Sequence, residues 1–198
     1  VYGTLSNTGG ENPLDYQAFV ANPMDFIAVA TNAETGEAVY LTKADMRQDD
    51  YRVLKASSAI PFVCSPYRVR GIDCYDGALS DTVPIQKAFD LGCEKVVLLL
   101  TKPLGLLRSA KKDTPLAKLI QKKYPVSAQK LRERAQRYND GVALAQRYVR
   151  EGRLCIVAPS DTCGVDTLTK DRDASHRLYE KGYADGAKIP AFLEQGRL

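Results

Sequence analysis

The chain has 198 residues, of which 44% are hydrophobic and 26% charged, with a net charge of +4, a single histidine and five cysteines. These are ordinary values for a water-exposed globular protein, and the length suits one domain or a generous piece of one. No apolar run approaches the roughly 20 residues that span a bilayer, and no basic stretch followed by an apolar one marks a signal peptide. Because Val1 stands first instead of Met, the expectation is a processed or truncated product. The cysteines (Cys64, Cys74, Cys93, Cys155, Cys163) are odd in number and contain no Cys-x-x-Cys. Metal centres use close pairs and secreted scaffolds use dense even sets, so neither is expected. Cys74, Cys93 and Cys155 lie among apolar residues and are expected as small core side chains. The setting expected from this usage is reducing and cytoplasmic.

In chain order, Pro13 to Ala21 predicts a short helix contributing Leu14, Phe19 and Val20. Phe26 to Ala30 is a continuous apolar run with β-branched residues, the pattern of a strand buried on both faces. A turn over Thr31 to Gly36 and a second strand over Glu37 to Thr42 complete a hairpin. Asp49 to Ala59 predicts a helix capped by Asp49 or Asp50, with Leu54 and Ala59 inward and Pro61 ending it. Tyr67 to Tyr75 predicts a strand pair around Gly71. Asp81 is the expected cap of the next helix, with Pro84 in its first turn, Ile85, Ala88 and Phe89 on one side and Gly92 at its end. Val96 to Leu100 predicts a second buried strand.

A connection over Pro103 to Lys112, expected to be mobile, leads to a short helix over Pro115 to Lys123. The longest helix is predicted from about Ser127 to Glu151, where Leu131, Ala135, Tyr138, Val142, Ala145 and Val149 recur at steps of four and three. Gly152 ends it, Leu154 to Ala158 forms a third strand, and a last helix runs from about Asp171 to Leu193 with Leu178, Tyr179 and Tyr183 inward. Strands alternating with helices predict an α/β fold with a largely parallel sheet covered on both faces.

Charge is unevenly distributed. From Arg108 to Arg153 the chain carries 13 Lys/Arg against 4 Asp/Glu, while the remainder carries 15 against 20. Such a segment is either a solvated helical face or a surface for an anionic membrane or acidic partner. No aromatic interleaving or nucleic-acid motif accompanies it, so nucleic acid is not an expected partner.

The chemistry concentrates at Asp76-Gly77-Ala78. An Asp-Gly pair alone marks a turn. Here it stands between Ser57-Ser58-Ala59-Ile60-Pro61 upstream and Ser80-Asp81, Pro84-Ile85 and Lys95 to Thr101 downstream. Together these resemble the C-terminal part of bacterial patatin-like phospholipases. The similarity extends from Asp25 to Ala30 and Glu34-Thr35-Gly36-Glu37, through Tyr138-Asn139 and Gly152 to Pro159, to Leu178 to Tyr183, and so covers nearly the whole chain. Ala78 stands where that family often has glycine, and Thr82 where proline is common; Gly77 is retained.

The resemblance implies a patatin-like α/β domain and a serine acyl hydrolase that cleaves acyl esters of lipids through a Ser-Asp dyad, without metal or cofactor. Asp76 occupies the position of the dyad aspartate. The family's Gly-x-Ser-x-Gly elbow and its glycine-rich oxyanion loop have no counterpart in these 198 residues. The chain is therefore expected to be inactive alone, with Asp76 serving a nucleophile outside it, and the missing N-terminal segment is a possible partner. Ser57, Ser58 and Ser80 are near in sequence, but Ser80 suits a local backbone role better than that of a nucleophile. His176 is expected as a surface or helix-packing residue, and Thr8-Gly9-Gly10-Glu11 as a plain loop, since no lysine follows it at phosphate-loop spacing. The competing reading is a non-enzymatic module whose basic segment docks on anionic lipid or an acidic partner.

Overall fold

Short connections decide most of the strand pairing. The computed structural model describes residues 2–61, 63–111, 113–166 and 169–195. The chain opens with helices α1 (Tyr2–Leu5) and α2 (Tyr16–Ala21), the latter capped by Asp15, whose carboxylate accepts the Ala18 N–H at 2.9 Å. Strands β1 (Ile27–Asn32) and β2 (Ala38–Thr42) form the expected hairpin, and α3 (Arg52–Ser57) follows. Next come β3 (Tyr67–Val69), β4 (Ile72–Asp76) and α4 (Ile85–Asp90). Strand β5 (Val96–Leu99) leads to α5 (Asp113–Ile120), the 26-residue α6 (Pro125–Arg150), β6 (Leu154–Val157), α7 (Arg172–Asp185) and α8 (Ile189–Glu194).

The fold is mixed α/β, but the sheet expectation holds only in part. Four strands form an antiparallel sheet in the order β2-β1-β4-β3, and only β5 and β6 pair in parallel. The reason lies in the links. Five residues between β1 and β2, and two between β3 and β4, allow only a reversal, whereas a parallel pair needs a long crossover. The β5–β6 link contains α5 and α6 and meets that requirement. In the β3–β4 turn Arg70 and Gly71 both take positive φ (51° and 78°), the signature of a tight hairpin turn that suits the twist of the strands.

The chain divides into two compact units, Val1–Thr82 with Ser109–Tyr138, and Val83–Arg108 with Asn139–Leu198. The first unit holds the antiparallel sheet. One apolar cluster joins Ala28, Ala30, Leu41, Met46, Tyr51, and Val53; a second joins Ala59, Tyr75, Leu79, Ala117, Ile120 and Leu131. The second unit holds the parallel pair, α4, α7 and α8, with Phe89 and Tyr148 in ring contact at 4.4 Å and the Arg153 guanidinium over both.

Several expected details change. Helix α3 is shorter than Asp49 to Ala59, because Asp49 takes a positive φ of 61° and accepts the Thr8 N–H instead of capping. Asp81 does not cap α4; Pro84 occupies that position, and the Asp81 carboxylate accepts the Tyr40 hydroxyl at 2.7 Å. Strand β5 is half-buried, not enclosed, and Leu99 is 67% exposed. The stripe on α6 is buried from Leu131 through Ala145, but Val149 is exposed.

The last helix breaks into two at a 3-10 turn over Gly186–Lys188, with Pro190 early in α8. Tyr179 and Tyr183 lie on its exposed face, contrary to expectation, since a helix with one packed side turns such positions to water. Cys74 is buried and Cys155 half-buried, but Cys93, just past the end of α4, is exposed. The connection expected over Pro103 to Lys112 is irregular backbone, with Arg108 tied to Asn139 by two hydrogen bonds; Lys112 lies outside the described residues. No helix among the described residues is long and apolar enough to cross a membrane.

Candidate active site

Asp76 is the last residue of β4 and stands opposite Ala30 of β1. Its carboxylate oxygen Oδ1 accepts the Ala78 N–H at 2.8 Å, which caps a 3-10 turn over Gly77–Leu79. This is the local reason for Asp at the position: a short carboxylate reaches back to its own chain two residues on. The Asp76 N–H donates to the Ala59 carbonyl at 2.9 Å. That bond brings the Ala59 backbone against Asp76.

The Asp76 carbonyl is held as well. Thr31, fully buried, donates its hydroxyl to it at 2.8 Å. Thr31 Oγ1 also lies 2.7 Å from Ser80 Oγ. A hydroxyl has one proton to give, so Ser80 donates to Thr31 while Thr31 donates to Asp76. Ser80, expected to serve backbone groups at the start of the next helix, is instead tied to a side chain 49 residues away, with the upstream Gly77 carbonyl at 3.4 Å. Ser58, just past the end of α3, donates its hydroxyl back to the Leu54 carbonyl at 2.8 Å.

From the other side, the Arg137 guanidinium of α6 donates to the Leu79 carbonyl at 2.7 Å while pairing with Glu133. The 3-10 turn after Asp76 is thus clamped by a helix distant in sequence. Tyr75 packs edge-on against Tyr124, ring centroids 5.5 Å apart, and burial pushes its hydroxyl pKa up to about 12. Cys74 is no activated thiol either: burial, helped by the Asp73 charge, raises it to about 11.

What results is a half-buried carboxylate whose backbone is fixed at its N–H, its carbonyl and the following turn. Such a group is preorganised to accept a proton without moving. Sequence reasoning finds Asp76 and its neighbours Ala59 and Ser80. It misses Thr31, which reads simply as a β-branched strand residue, and Arg137, which is lost in a basic run; no local signal marks either.

The remaining motif residues lie apart from this arrangement. His176 is exposed on α7, with Nε2 3.3 Å from Glu180 and its ring stacked on Tyr179. Thr8 to Glu11 forms a loop whose Thr8 N–H and hydroxyl bind Asp49. Among the described residues no three His, Cys, Asp or Glu side chains gather as metal ligands. A cavity of about 640 Å³ in the second unit is lined by Leu104, Leu154, Ile156 and Phe192 among others, all belonging to that unit and not to the one that holds Asp76.

Comparison with known proteins gives matches to a family model and to curated relatives. Residues 124–195 match a family model described as a domain of unknown function, DUF6363. The chain is also 32% identical over 95 residues to the uncharacterized protein YjjU of Escherichia coli strain K12, a stretch that covers 41% of this chain and 26% of that protein. The chain thus spans about a quarter of that relative's length.

Proposed function

We propose that this chain is the C-terminal part of a patatin-like serine acyl hydrolase, and that Asp76 is the base of a Ser-Asp dyad acting on acyl esters of lipids. The observation that carries the reading is the fixing of Asp76 from several sides, by Ala59, Ala78 and Thr31, at a strand-to-turn junction. The serine in this reading belongs to residues encoded before Val1. A serine hydroxyl is a weak nucleophile until a base takes its proton, and a rigid carboxylate within hydrogen-bond reach does so without an imidazole. Asp76 passes that proton to the departing alcohol, and the acyl-serine ester left behind is then cleaved by water, with Asp76 taking the proton from that water and returning it to the serine as the fatty acid leaves.

In the same reading the antiparallel sheet and the β5–β6 pair are the C-terminal strands of a patatin-like domain whose central sheet is completed by the preceding segment. The half-exposed β5 accords with a strand that has another neighbour in the longer protein. The length of the relative, about four times the matched stretch, leaves room for that segment.

The test has two arms. The 198-residue chain should not hydrolyse p-nitrophenyl esters. The longer natural protein should, and Asp76→Asn should lower its kcat by about 10²- to 10⁴-fold, the usual contribution of a positioned base, with little change in Tm. Full activity in the Asn variant would remove Asp76 from the mechanism. Turnover by the 198-residue chain that vanishes with Asp76→Asn would place the nucleophile within it.

A further inference from the structure

From Thr114 to Arg132 the chain carries five Lys or Arg and no Asp or Glu. In the structure this stretch is the corner where α5 runs into α6. Its inner side is packed: Ala117, Ile120, Ala128 and Leu131 are buried, and Tyr124 rests edge-on against Tyr75. Its outer side presents Lys118, Lys122 and Lys123 to solvent around Leu119, which is 61% exposed. None of these three lysines makes an ion pair among the described residues. Arg132 reaches back to the Gln121 side chain and adds a fourth cation beside the corner.

The acids that bracket the stretch are already committed. Asp113 is buried against Arg134, and Glu133 pairs with Arg137. The corner is therefore a ridge of one sign, held rigid from behind. A surface built for solubility alone intersperses both signs. A nucleic-acid surface would offer free aromatic faces for stacking among the cations, whereas the ring at this corner, Tyr124, is packed against Tyr75 with Lys123 Nζ 5.2 Å from its centre. Here the centre is an exposed aliphatic side chain, which suits the boundary between lipid headgroups and acyl chains.

We propose that the α5–α6 corner docks this protein on an anionic phospholipid bilayer, with Lys118, Lys122, Lys123 and Arg132 against the headgroup phosphates and Leu119 entering the interface. The proposal goes beyond the hydrolase reading, because docking needs no catalysis. It also gives that reading a surface: through Tyr124 and Tyr75 the corner packs on the residue that precedes Asp76.

The test is co-sedimentation of the 198-residue chain with phosphatidylcholine vesicles, with and without phosphatidylglycerol. Binding is expected only to the anionic vesicles and should weaken as salt rises. Lys118→Gln, Lys122→Gln and Lys123→Gln together should lower the partition coefficient by about a hundredfold. The same three positions as arginine should retain binding, which guards against a folding defect in the triple variant. Leu119→Ser should lower binding several-fold without changing its salt dependence, and Asp76→Asn should bind as the parent does. Equal binding to neutral vesicles, or a triple Gln variant that binds normally, overturns the proposal. So does a single-stranded oligonucleotide that competes fully while Leu119→Ser has no effect on vesicle binding.

Discussion

Gly77 lies so close to Val29 that a β-carbon built on it would stand 2.3 Å from the Val29 carbonyl oxygen and 2.8 Å from the Val29 β-carbon. The requirement for glycine is therefore room, not backbone freedom. Strand β1 runs directly behind the turn that carries Asp76, and a methyl group must push the two apart. Gly77→Ala is expected to destabilise the chain by about 1–3 kcal/mol, the usual cost of overpacking, as read by urea unfolding. On the proposed hydrolase reading it should also lower the esterase activity of the longer protein, since the turn that orients the carboxylate moves with it. An unfolding midpoint equal to the parent's would mean that β1 yields at no cost.

Thr31 offers a second handle on the same turn. Its buried hydroxyl gives to the Asp76 carbonyl and receives from Ser80. Thr31→Val keeps the shape and removes both bonds, the one to the part-buried Asp76 carbonyl and the one to Ser80. The expected cost is about 1–3 kcal/mol. Ser80→Ala removes only one of the two bonds and leaves Thr31 able to donate to Asp76, so it should cost less. A Ser80→Ala variant less stable than Thr31→Val would reverse the order of importance assigned to the pair.

Asp45 sets an acid limit on the first unit. Its carboxylate takes two hydrogen bonds from Arg70, each 2.5 Å, and one from the Thr42 N–H at 2.8 Å. The Arg70 hydrogen bonds, more than any other influence, hold its pKa below the ordinary 3.8. A lowered folded-state pKa means stability that is present above the unfolded value and lost as pH falls through the folded one. Below about pH 4 the parent should therefore lose stability faster than Asp45→Asn, whose side chain has no charge to lose. Urea midpoints at pH 7 and pH 3 measure this: the gap between parent and variant should be widest at pH 7 and narrow at pH 3. A gap independent of pH would assign the role of Asp45 to shape alone.

The parts of the fold written locally were legible. The β1–β2 hairpin, the reversal at Gly71, the α6 stripe through Leu131 and Ala145, and the strand-to-turn junction at Asp76 all follow from periods and turn residues within a dozen positions. Strand direction was not, because alternation of strands and helices predicts a parallel sheet without saying which strands neighbour each other. In fact β4 returns beside β1, so two hairpins merge into one antiparallel sheet. Caps also misled: Asp49 and Asp81 are good cap residues, but each is taken by a partner about 40 positions away, Thr8 and Tyr40. The groups that fix Asp76 from outside, Thr31 and Arg137, are 45 and 61 positions from it, and no local pattern signals them. Tyr179 and Tyr183 follow the spacing of an inward stripe, yet α7 turns them to water, since spacing gives a face and not what lies opposite it.

Arg134 and Asp113 provide the strictest check on how α5 joins α6. The guanidinium meets the carboxylate at 2.5 and 3.1 Å, and the Asp113 side chain is only 7% exposed. Two buried charges compensate each other at little net gain, but removing one strands the other in a medium that solvates it poorly. Arg134→Met should thus cost about 3–5 kcal/mol. Adding Asp113→Asn to it removes the stranded charge and should recover much of that loss, a non-additivity that reports direct contact. Both substitutions leave the outward lysines of the corner in place, so the double variant, once folded, should still bind anionic vesicles. Should the two costs simply add, the ion pair does not hold α5 against α6, and the rigidity of the corner rests on Ala117, Ile120 and Leu131 instead.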